Sequence, residues 1–355
     1  MSNSLNKLLP NNFNWIEIDI CNSNDVCRLF DLLYNNYVED FDATLRFAYS
    51  TQFLKWSLGN PNYKKEWHLG ITYKSKIIAF IGAIPTSIRV NKNIVDIVDI
   101  NFLCIHKDFR NRKLTPILIS EITKRVSKYN ILSAIHTTGK IRGKQFCTTK
   151  YMHRCLNYGK LVNIGFCSIP ENAKVFKNPI KMLEIKYRLP CQTIIKGFRK
   201  MTKKDVSVVH KLLKKQLEKY EVAPIFNLDE ITHKFQNING VVNSYVVENE
   251  NNITDFISYY TIESSILNNP KYNILVTGYL YYYANTKHDL KDLVKDCVIS
   301  ARNNGCDVFN CLDVMDNKQF IKNLLFTNGT GELYYHLFNY QMDTISADKL
   351  GVVML

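Results

Sequence analysis

One order of predicted elements occurs twice along the chain, and this repetition restricts the fold more than any other feature. An Asp-Val pair at 25 and a Leu-Leu pair at 32 recur 180 residues later, at 205 and 212. Both segments carry apolar residues at helical spacing. In each half a hairpin comes next, followed by a strand, a helix and a strand. Identity between the halves is slight, but the shared order predicts two tandem copies of one unit.

The predicted elements occupy corresponding positions in the two halves. In the first half the two hairpin strands, the strand, the helix and the last strand lie at 67–73, 77–84, 98–105, 116–129 and 131–137. In the second half they lie at 244–247, 253–260, 275–283, 290–303 and 307–314. This order resembles that of the acyl-CoA N-acyltransferase (GNAT-like) unit. We therefore expect a mixed α/β fold in which two such units, related by pseudo-twofold symmetry, form one saddle-shaped sheet flanked by helices.

The composition indicates a folded protein with an excess of positive charge. The 355 residues are 46% hydrophobic, and 21 Tyr and 19 Phe argue against disorder. The formal net charge of +14 suits an anionic ligand such as a nucleotide or a phosphorylated cofactor, and equally nucleic acid or a membrane surface. The chain is rich in Lys, Asn and Ile, so a solvated basic surface is the alternative. It contains no recognisable motif that reads DNA or RNA.

The cysteines and the apolar runs restrict the compartment. None of the ten cysteines forms a CxxC pair, which favours reduced thiols over disulfides or a zinc site. No apolar run approaches about 20 residues, and the first residues do not resemble a signal peptide. These features predict a cytoplasmic protein without stable membrane insertion.

A basic loop between a predicted strand and a predicted helix is a candidate ligand site. The strand at 101–105 leads to Arg110, Asn111, Arg112 and Lys113, and Thr115-Pro116 predicts the N-cap and first residue of the helix. Free N–H groups and the helix dipole favour an anion at such a place. The sequence therefore predicts a pyrophosphate site, with an ordinary basic turn as the alternative.

The chain ends in the apolar run 350–355, which predicts a buried last strand. Burial would carry the terminal carboxylate inside, where a charge needs a partner or a purpose. The alternative is a last strand whose terminus just reaches water.

At these two features the chain resembles the eukaryotic N-myristoyltransferases. The carrying motif is the sequence DINFLCIHK at 99–107, followed by matches at 110–119. Further matches, in order, lie at 9–15, 37–40, 46–50, 67–70, 83–85, 151–157, 246–249, 307–313 and 351–355. The resemblance thus covers nearly the whole chain, which makes it far more specific than any single motif.

The resemblance implies direct transfer of a fourteen-carbon acyl group from myristoyl-CoA to the N-terminal glycine amine of a peptide or protein. It implies an oxyanion hole made by the backbone N–H groups of Phe102 and Leu103. The terminal carboxylate of Leu355 would be the general base, and Asn101 and Thr137 would help to seat the amine. Neither a covalent enzyme intermediate nor a metal is implied.

The resemblance also assigns binding residues. Those for the acyl-CoA are Phe102, Leu103, Cys104, Ile105, Arg110, Asn111, Arg112, Lys113, Leu114 and Thr115. Those for the peptide are Tyr37, Phe47, Tyr49, His136, Tyr151, His153, Ser264, Tyr279 and Asp313, together with an acidic cluster of Glu39, Asp40 and Asp42 that would attract a basic substrate residue. Without the resemblance, the aromatic residues would be interpreted as core and the acidic cluster as a solvated loop.

The chain departs from the family pattern at several places. It lacks the upstream Tyr-x-Phe-Trp segment that covers part of coenzyme A and the N-terminal extension of the family, so we expect a short form. His136 replaces a usual Tyr, Leu45 replaces a usual Phe, Thr330 replaces an acid, and 140–145 replaces a loop that contains Pro. These changes bear on peptide preference more than on the chemistry.

Two other functions remain open at this point. One is a basic protein that binds nucleic acid or another anion on a degenerate acyltransferase fold, and the other is an N-acetyltransferase with short acyl chains. The favoured hypothesis is a monomer that binds acyl-CoA and glycine peptides and no nucleic acid. Residues 1–188 would form the acyl-CoA half, and 189–355 the half that supplies most of the peptide groove.

Overall fold

The computed structural model describes residues 9–37 and 44–355. The strands of this part are β1 (Phe13–Glu17), β2 (Leu45–Ala48), β3 (His68–Tyr73), β4 (Lys76–Val90), β5 (Asn93–Ile105), β6 (Ala134–Thr138), β7 (Cys147–Cys155), β8 (Phe198–Lys200), β9 (Val222–Pro224), β10 (Val242–Asn249), β11 (Asn252–Ile266), β12 (Ile274–Asn285), β13 (Val308–Leu312) and β14 (Thr327–Phe338). The helices are α1 (Ser23–Asn36), α2 (Thr51–Leu58), α3 (Leu114–Ser127), α4 (Tyr158–Asn163), α5 (Pro179–Lys186), α6 (Val206–Leu217), α7 (Leu228–Phe235), α8 (Leu290–Asn303) and α9 (Lys318–Ile321).

All these strands belong to one sheet. Its order is β1-β3-β4-β5-β6-β14-β7-β13-β12-β11-β10-β8, with β2 paired to β11 and β9 paired to β4. Neighbours are antiparallel except at β5–β6 and β12–β13, which are parallel. In both halves three antiparallel strands lead through a helix to a parallel fourth, β3-β4-β5-α3-β6 and β10-β11-β12-α8-β13. The predicted fold of two GNAT-like units in one mixed sheet is confirmed.

The two halves exchange strands where they meet. Strand β7 of the first half pairs with β13 of the second half, while β14 pairs with both β6 and β7. The largest core cluster accordingly contains residues from both halves, including Phe80, Tyr281 and Val352. The two repeated units are therefore joined by both backbone pairing and a shared core.

The repeated first helices explain why each unit folds. In α1 the side chain of Asn22 accepts hydrogen bonds from the first turn, and Leu29, Leu32 and Leu33 are buried. Helix α1 contacts β4 and β5, while α6 contacts β11 and β12. Each helix thus covers one face of its own antiparallel strands.

Two predictions about individual elements are wrong, one about the start of α3 and one about the last strand. Helix α3 begins at Leu114 rather than at Pro116, and its N-cap is Lys113 without a side-chain hydrogen bond. Asn111 and Lys113 both adopt left-handed backbone conformations, and the chain therefore turns into the helix earlier than Thr115. The predicted last strand is also absent, because only Leu350 forms a bridge, to Val222.

Two further features concern the cysteines and the length of the helices. All ten cysteines are free thiols. Among residues 9–37 and 44–355, no helix has both the length and the apolar character needed to cross a bilayer.

Candidate active site

Strand β5 carries a bulge at Phe102 and Leu103. The register with β4 passes from Asn101 opposite Gly82 to Cys104 opposite Phe80, so neither bulged residue has a partner in this pair of strands. Phe102 has a φ of 55°, a left-handed conformation that is strained for a residue other than glycine. Turn-like geometry of this kind directs successive N–H groups to one side and can form an anion-binding concavity.

The bulge lies where β5 and β6 separate. These parallel strands pair only at Val98 with Ala134 and at Asp99 with Ile135. Beyond that point β6 continues to pair with β14. A gap therefore opens between β5 and β6 toward their carboxyl ends, the edge at which ligands of open α/β sheets commonly bind.

Two polar side chains of β5 lie buried beside the bulge. Within the described structure, Nδ2 of Asn101 and Oδ1 of Asp99 are buried without a hydrogen-bond partner. Burial raises the pKa of Asp99 to about 6, and both the charge of Lys234 and the neighbouring Asn101 side chain oppose this increase. An unpaired buried polar group costs about 1–3 kcal/mol, which makes this place receptive to a polar ligand.

The C-terminal residues reach the same region through tyrosine hydroxyls. Tyr335 donates to the carbonyl of Val352 at 3.1 Å, and the N–H of Val353 donates to the hydroxyl of Tyr282 at 3.0 Å. On β14, Tyr335 lies opposite Thr137 of β6. The tail is thus fixed to β14 and β12 by the hydroxyl groups of Tyr335 and Tyr282 rather than by a strand ladder.

Close packing also holds the tail. The N–H of Gly351 donates to the carbonyl of Val222 at 2.7 Å. A Cβ on Gly351 would lie 2.8 Å from the Tyr220 ring and 3.1 Å from Ala223. Val352 and Met354 are buried and Leu355 is half-buried. The apolar terminus is therefore buried as expected, although not as a strand.

The basic loop before α3 divides into an anchored part and an exposed part. The guanidinium of Arg110 donates to the carbonyls of Asn36 at 2.7 Å and Ile105 at 3.3 Å, which ties the loop to the end of α1. Asn111, Arg112 and Lys113 are exposed. The exposed cations next to the first N–H groups of α3 suit a phosphate group.

Aromatic side chains of the first half surround the bulge. The Phe102 ring lies 5.2 Å from Tyr49 and 6.0 Å from Tyr37, and the Phe47 ring stacks on Tyr49 at 5.7 Å. Burial raises the pKa of Tyr49 well above its usual value, and the nearby Tyr37, Tyr279 and Tyr151 add to this increase. The predicted peptide residues on either side of the sheet centre are thus close neighbours.

The second half contributes the rest of this aromatic surface. The Tyr279 ring lies 6.4 Å from Tyr151 and stacks on Tyr260 at 5.1 Å. Burial raises the pKa of Tyr151 to about 12. Ser264 of β11 is buried opposite Phe47 of β2. These hydroxyl groups are therefore neutral hydrogen-bonding groups at physiological pH.

A histidine and an aspartate lie at the far end of the surface. Nδ1 of His153 is 2.7 Å from Oδ1 of Asn310, and burial lowers the pKa of His153. Asp313 accepts a hydrogen bond from the N–H of Lys150 at 2.7 Å. A Cβ on Gly329 would lie 2.2 Å from Nε2 of His153, so only glycine fits there.

Sequence reasoning did not single out Asn310, Gly329 or Tyr260 as functional residues. The signal for Asn310 was a polar residue within the buried strand β13. Gly329 was noted only as part of a loop that departs from the family pattern.

Other predicted residues have different surroundings. The His136 ring stacks on His336 at 5.0 Å rather than on one of the tyrosine rings described above. Burial lowers the pKa of His136 to about 4. Glu39, Asp40 and Asp42 lie outside the described residues, so the acidic cluster stays a prediction.

Comparisons with known proteins identify the family. The family model described as "Myristoyl-CoA:protein N-myristoyltransferase, N-terminal domain" matches residues 3–149, and the model of the C-terminal domain matches 163–353. The glycylpeptide N-tetradecanoyltransferase of Plasmodium falciparum is 40% identical over 349 residues, which cover 98% of this chain and 84% of that protein. The Candida albicans enzyme of the same name is 42% identical over 350 residues, covering 94% and 76%.

Solved structures give the same result. A crystal structure of Saccharomyces cerevisiae N-myristoyltransferase with bound myristoyl-CoA superposes with a TM-score of 0.92 at 37% identity, covering 98% of this chain and 90% of that one. A GCN5-related N-acetyltransferase from Anabaena variabilis matches with a TM-score of 0.51 at 10% identity, covering 92% and 72%, and so shares the fold alone. The chain described here belongs to the myristoyl-CoA:protein N-myristoyltransferase family.

Proposed function

We propose that the protein transfers the tetradecanoyl group from myristoyl-CoA to the α-amine of an N-terminal glycine in peptides and proteins. Family membership over nearly the whole chain supports the reaction. The observation that supports its location is the bulge at Phe102 and Leu103, which lies in the gap between β5 and β6.

The backbone N–H groups of Phe102 and Leu103 bind the thioester oxygen. As the amine nitrogen attacks the carbonyl carbon, negative charge develops on that oxygen, and the C–S bond then breaks to release coenzyme A. One donor placed for such an oxyanion is worth about 2.7–4 kcal/mol. The left-handed backbone of Phe102 and its lack of a register partner support this role.

The terminal carboxylate of Leu355 is the general base. A glycine ammonium has a pKa of about 8 and is mostly protonated at neutral pH, so it must lose a proton before it attacks. The tail contacts Tyr335, which lies opposite Thr137, so a carboxylate close to the amine is supported. Asn101 and Thr137 seat the amine through their side chains.

Direct transfer fits the surrounding thiols. Burial raises the pKa of Cys104 and of Cys147 to about 12 in each case. Thiols this weakly acidic remain protonated and are poor nucleophiles. No covalent enzyme intermediate is needed.

The acyl-CoA lies along the first half. Asn111, Arg112 and Lys113, with the N-terminus of α3 at Leu114 and Thr115, bind the pyrophosphate, while Arg110 holds this loop in place. Cys104 and Ile105 follow the bulge and flank the thioester end.

The peptide occupies the aromatic surface between the halves. The residues proposed to line it are Tyr37, Phe47, Tyr49, His136, Tyr151, His153, Ser264, Tyr279 and Asp313. Residues 1–188 would thus bind acyl-CoA, and 189–355 would supply most of the groove and return the tail to the reacting atoms. A monomer in the cytoplasm that binds no nucleic acid and does not insert stably into a membrane stays a prediction.

Incubation with labelled myristoyl-CoA and a peptide beginning Gly-x-x-x-Ser tests the proposal. We expect label on the peptide, and no label on a matched peptide whose glycine amine is acetylated. Acetyl-CoA in place of myristoyl-CoA distinguishes a short-chain acetyltransferase. Absence of transfer, with salt-sensitive binding of nucleic acid, would instead support the alternative anion-binding function.

A further inference from the structure

The segment 171–188, which includes α5, exposes apolar side chains. Val175, Phe176, Met182 and Ile185 are 80%, 46%, 41% and 49% exposed, and we call them the exposed apolar group. A single exposed apolar residue is ordinary on a protein surface. Four exposed apolar side chains within eleven consecutive residues are a concentration of the kind that marks an interaction surface.

Basic side chains alternate with the exposed apolar group. The segment contains Lys174, Lys177, Lys181, Lys186 and Arg188, all of which are exposed, against the two acids Glu171 and Glu184. Lys174 pairs with Glu171 at 2.6 Å. The segment therefore has a net positive charge beside its apolar side chains.

The geometry of α5 combines the two kinds of side chain on one face. At about 100° per residue, Met182 and Ile185 lie on the same face of the helix. Lys181 and Lys186 flank this pair on its two sides. Leu183 points the opposite way and is buried in the cluster beneath the helix. Because Leu183 anchors α5, folding does not require Met182 and Ile185 to be apolar.

We propose that this surface docks on an anionic membrane. The exposed apolar group would enter the headgroup region, while the lysines extend their aliphatic stems along it and place their ammonium groups near lipid phosphates. A nucleic acid would pair with the lysines but leave four apolar side chains in water. An apolar protein groove would cover those side chains but leave the lysines unpaired. An anionic lipid surface satisfies both.

This docking is peripheral. Helix α5 has eight residues, or about 12 Å, which is far short of the roughly 30 Å of a bilayer core. The inference goes beyond the proposed acyl transfer and does not rest on it.

Flotation of the full chain with vesicles tests the proposal. We use phosphatidylcholine alone and phosphatidylcholine mixed with phosphatidylserine, without myristoyl-CoA. The chain should float with the mixed vesicles and not with the neutral ones, and high salt should reduce its binding. Lys181→Gln with Lys186→Gln should weaken binding about 30-fold, at about fivefold per lysine. Phe176→Ser with Ile185→Ser should weaken it about tenfold.

A matched control uses exposed residues of the β4–β5 hairpin, one in the turn and one at the start of β5. Ile94 is 69% exposed, so Ile94→Ser with Lys92→Gln removes one apolar and one basic side chain from another surface. This variant should float like the original chain. Unchanged thermal unfolding of all the variants separates lost docking from misfolding.

Three results would overturn the proposal. The first is equal flotation of the chain with neutral vesicles, and the second is flotation of the variants of segment 171–188 as strong as that of the original chain. The third is that the same variants abolish dimerisation or RNA binding while no vesicle binding is seen. Loss of acyl transfer with intact flotation would count against the proposed reaction alone.

Discussion

The loop before the crossover helix is built in opposite ways in the two halves. Before α8, the N–H groups of Thr286, Lys287 and His288 donate to Oδ1 of Asp255 at 2.8, 3.1 and 3.3 Å. The Nδ1 atom of His288 lies 2.8 Å from Oδ2 of the same carboxylate, and Asp255 is wholly buried. The second half therefore supplies its own anion, and these N–H groups are not available to a ligand.

The first half has no carboxylate at the equivalent place. The residue 176 positions before Asp255 is Ala79, which is buried and uncharged. The loop before α3 instead exposes Arg112 and Lys113. The second half thus satisfies the N–H groups of its loop internally, and we call it the closed half. The first half leaves its loop open to an external anion, and we call it the open half. Duplication of a fold need not duplicate its ligand site.

The largest effect should come from displacing the C-terminal carboxylate, the proposed general base for the reaction at the open half. Adding Gly-Ser-Gly after Leu355 should displace the terminal carboxylate and lower turnover about 10²- to 10⁴-fold, the usual contribution of a general base. Single-turnover kinetics measures this, and the Kd of myristoyl-CoA should change little. The same tripeptide before Met1 is the control, and unchanged turnover of the extended chain would refute the assigned base.

Next comes the internal anion of the closed half. Asp255→Asn removes the charge and one acceptor from a buried network, which should lower the free energy of unfolding by about 2–4 kcal/mol. Chemical denaturation measures the change. Asp289→Asn is the control, since Asp289 is exposed and makes no capping hydrogen bond. Equal stability of the two variants would show that the internal anion is not needed.

Asp99, the buried carboxylate of the open half, should make the stability of the protein depend on pH. Its folded pKa, about 6, lies above its unfolded value near 3.8, so the carboxyl group is ionised at a cost in the folded protein. The stability that its protonated form contributes is fully present below pH ~4 and is lost as the pH rises through about 6. Asp99→Asn should therefore stabilise the protein at neutral pH by about 1–3 kcal/mol.

Thermal unfolding at acidic and neutral pH, with Asp96→Asn as an exposed control, checks the Asp99 prediction. A loss of stability in Asp99→Asn at neutral pH would mean that ionised Asp99 is favourably paired.

The smallest effect should come from removing the exposed cations of the loop before α3. Arg112→Ala with Lys113→Ala should weaken binding of myristoyl-CoA about tenfold, since exposed charges contribute up to about 1 kcal/mol each. Lys287→Ala with Lys291→Ala removes one lysine from the loop before α8 and one from the first turn of that helix, and it should leave the Kd unchanged. Calorimetry measures both, and equal losses would contradict the contrast between the halves.

Periodicity and turn residues predicted most of the fold. The helix at 290–303 is observed with those bounds, because its apolar spacing and its flanking residues agree. The start of α3 was missed because left-handed Lys113 has no signal in sequence. The last strand was wrong because hydroxyl groups of Tyr335 and Tyr282 replace a ladder.

The candidate site depended on long-range contacts that periodicity does not encode. The pairing of His153 with Asn310 joins residues 157 positions apart. Asp255 was also missed, although an acid within a largely buried strand is a sign of an internal partner. The resemblance supplied the aromatic residues, which pattern alone would have assigned to the core.

The exchange of strands between the halves has a consequence for synthesis. Strand β6 needs β14 as its neighbour, and these strands lie about 200 residues apart in the chain. A nascent chain that has released the whole first half still has an open edge beside Thr137. Domains generally fold as units as they leave the ribosome, but here the centre of the sheet closes only after 327–338 has emerged. Assembly of the proposed reaction centre is therefore among the last events of translation.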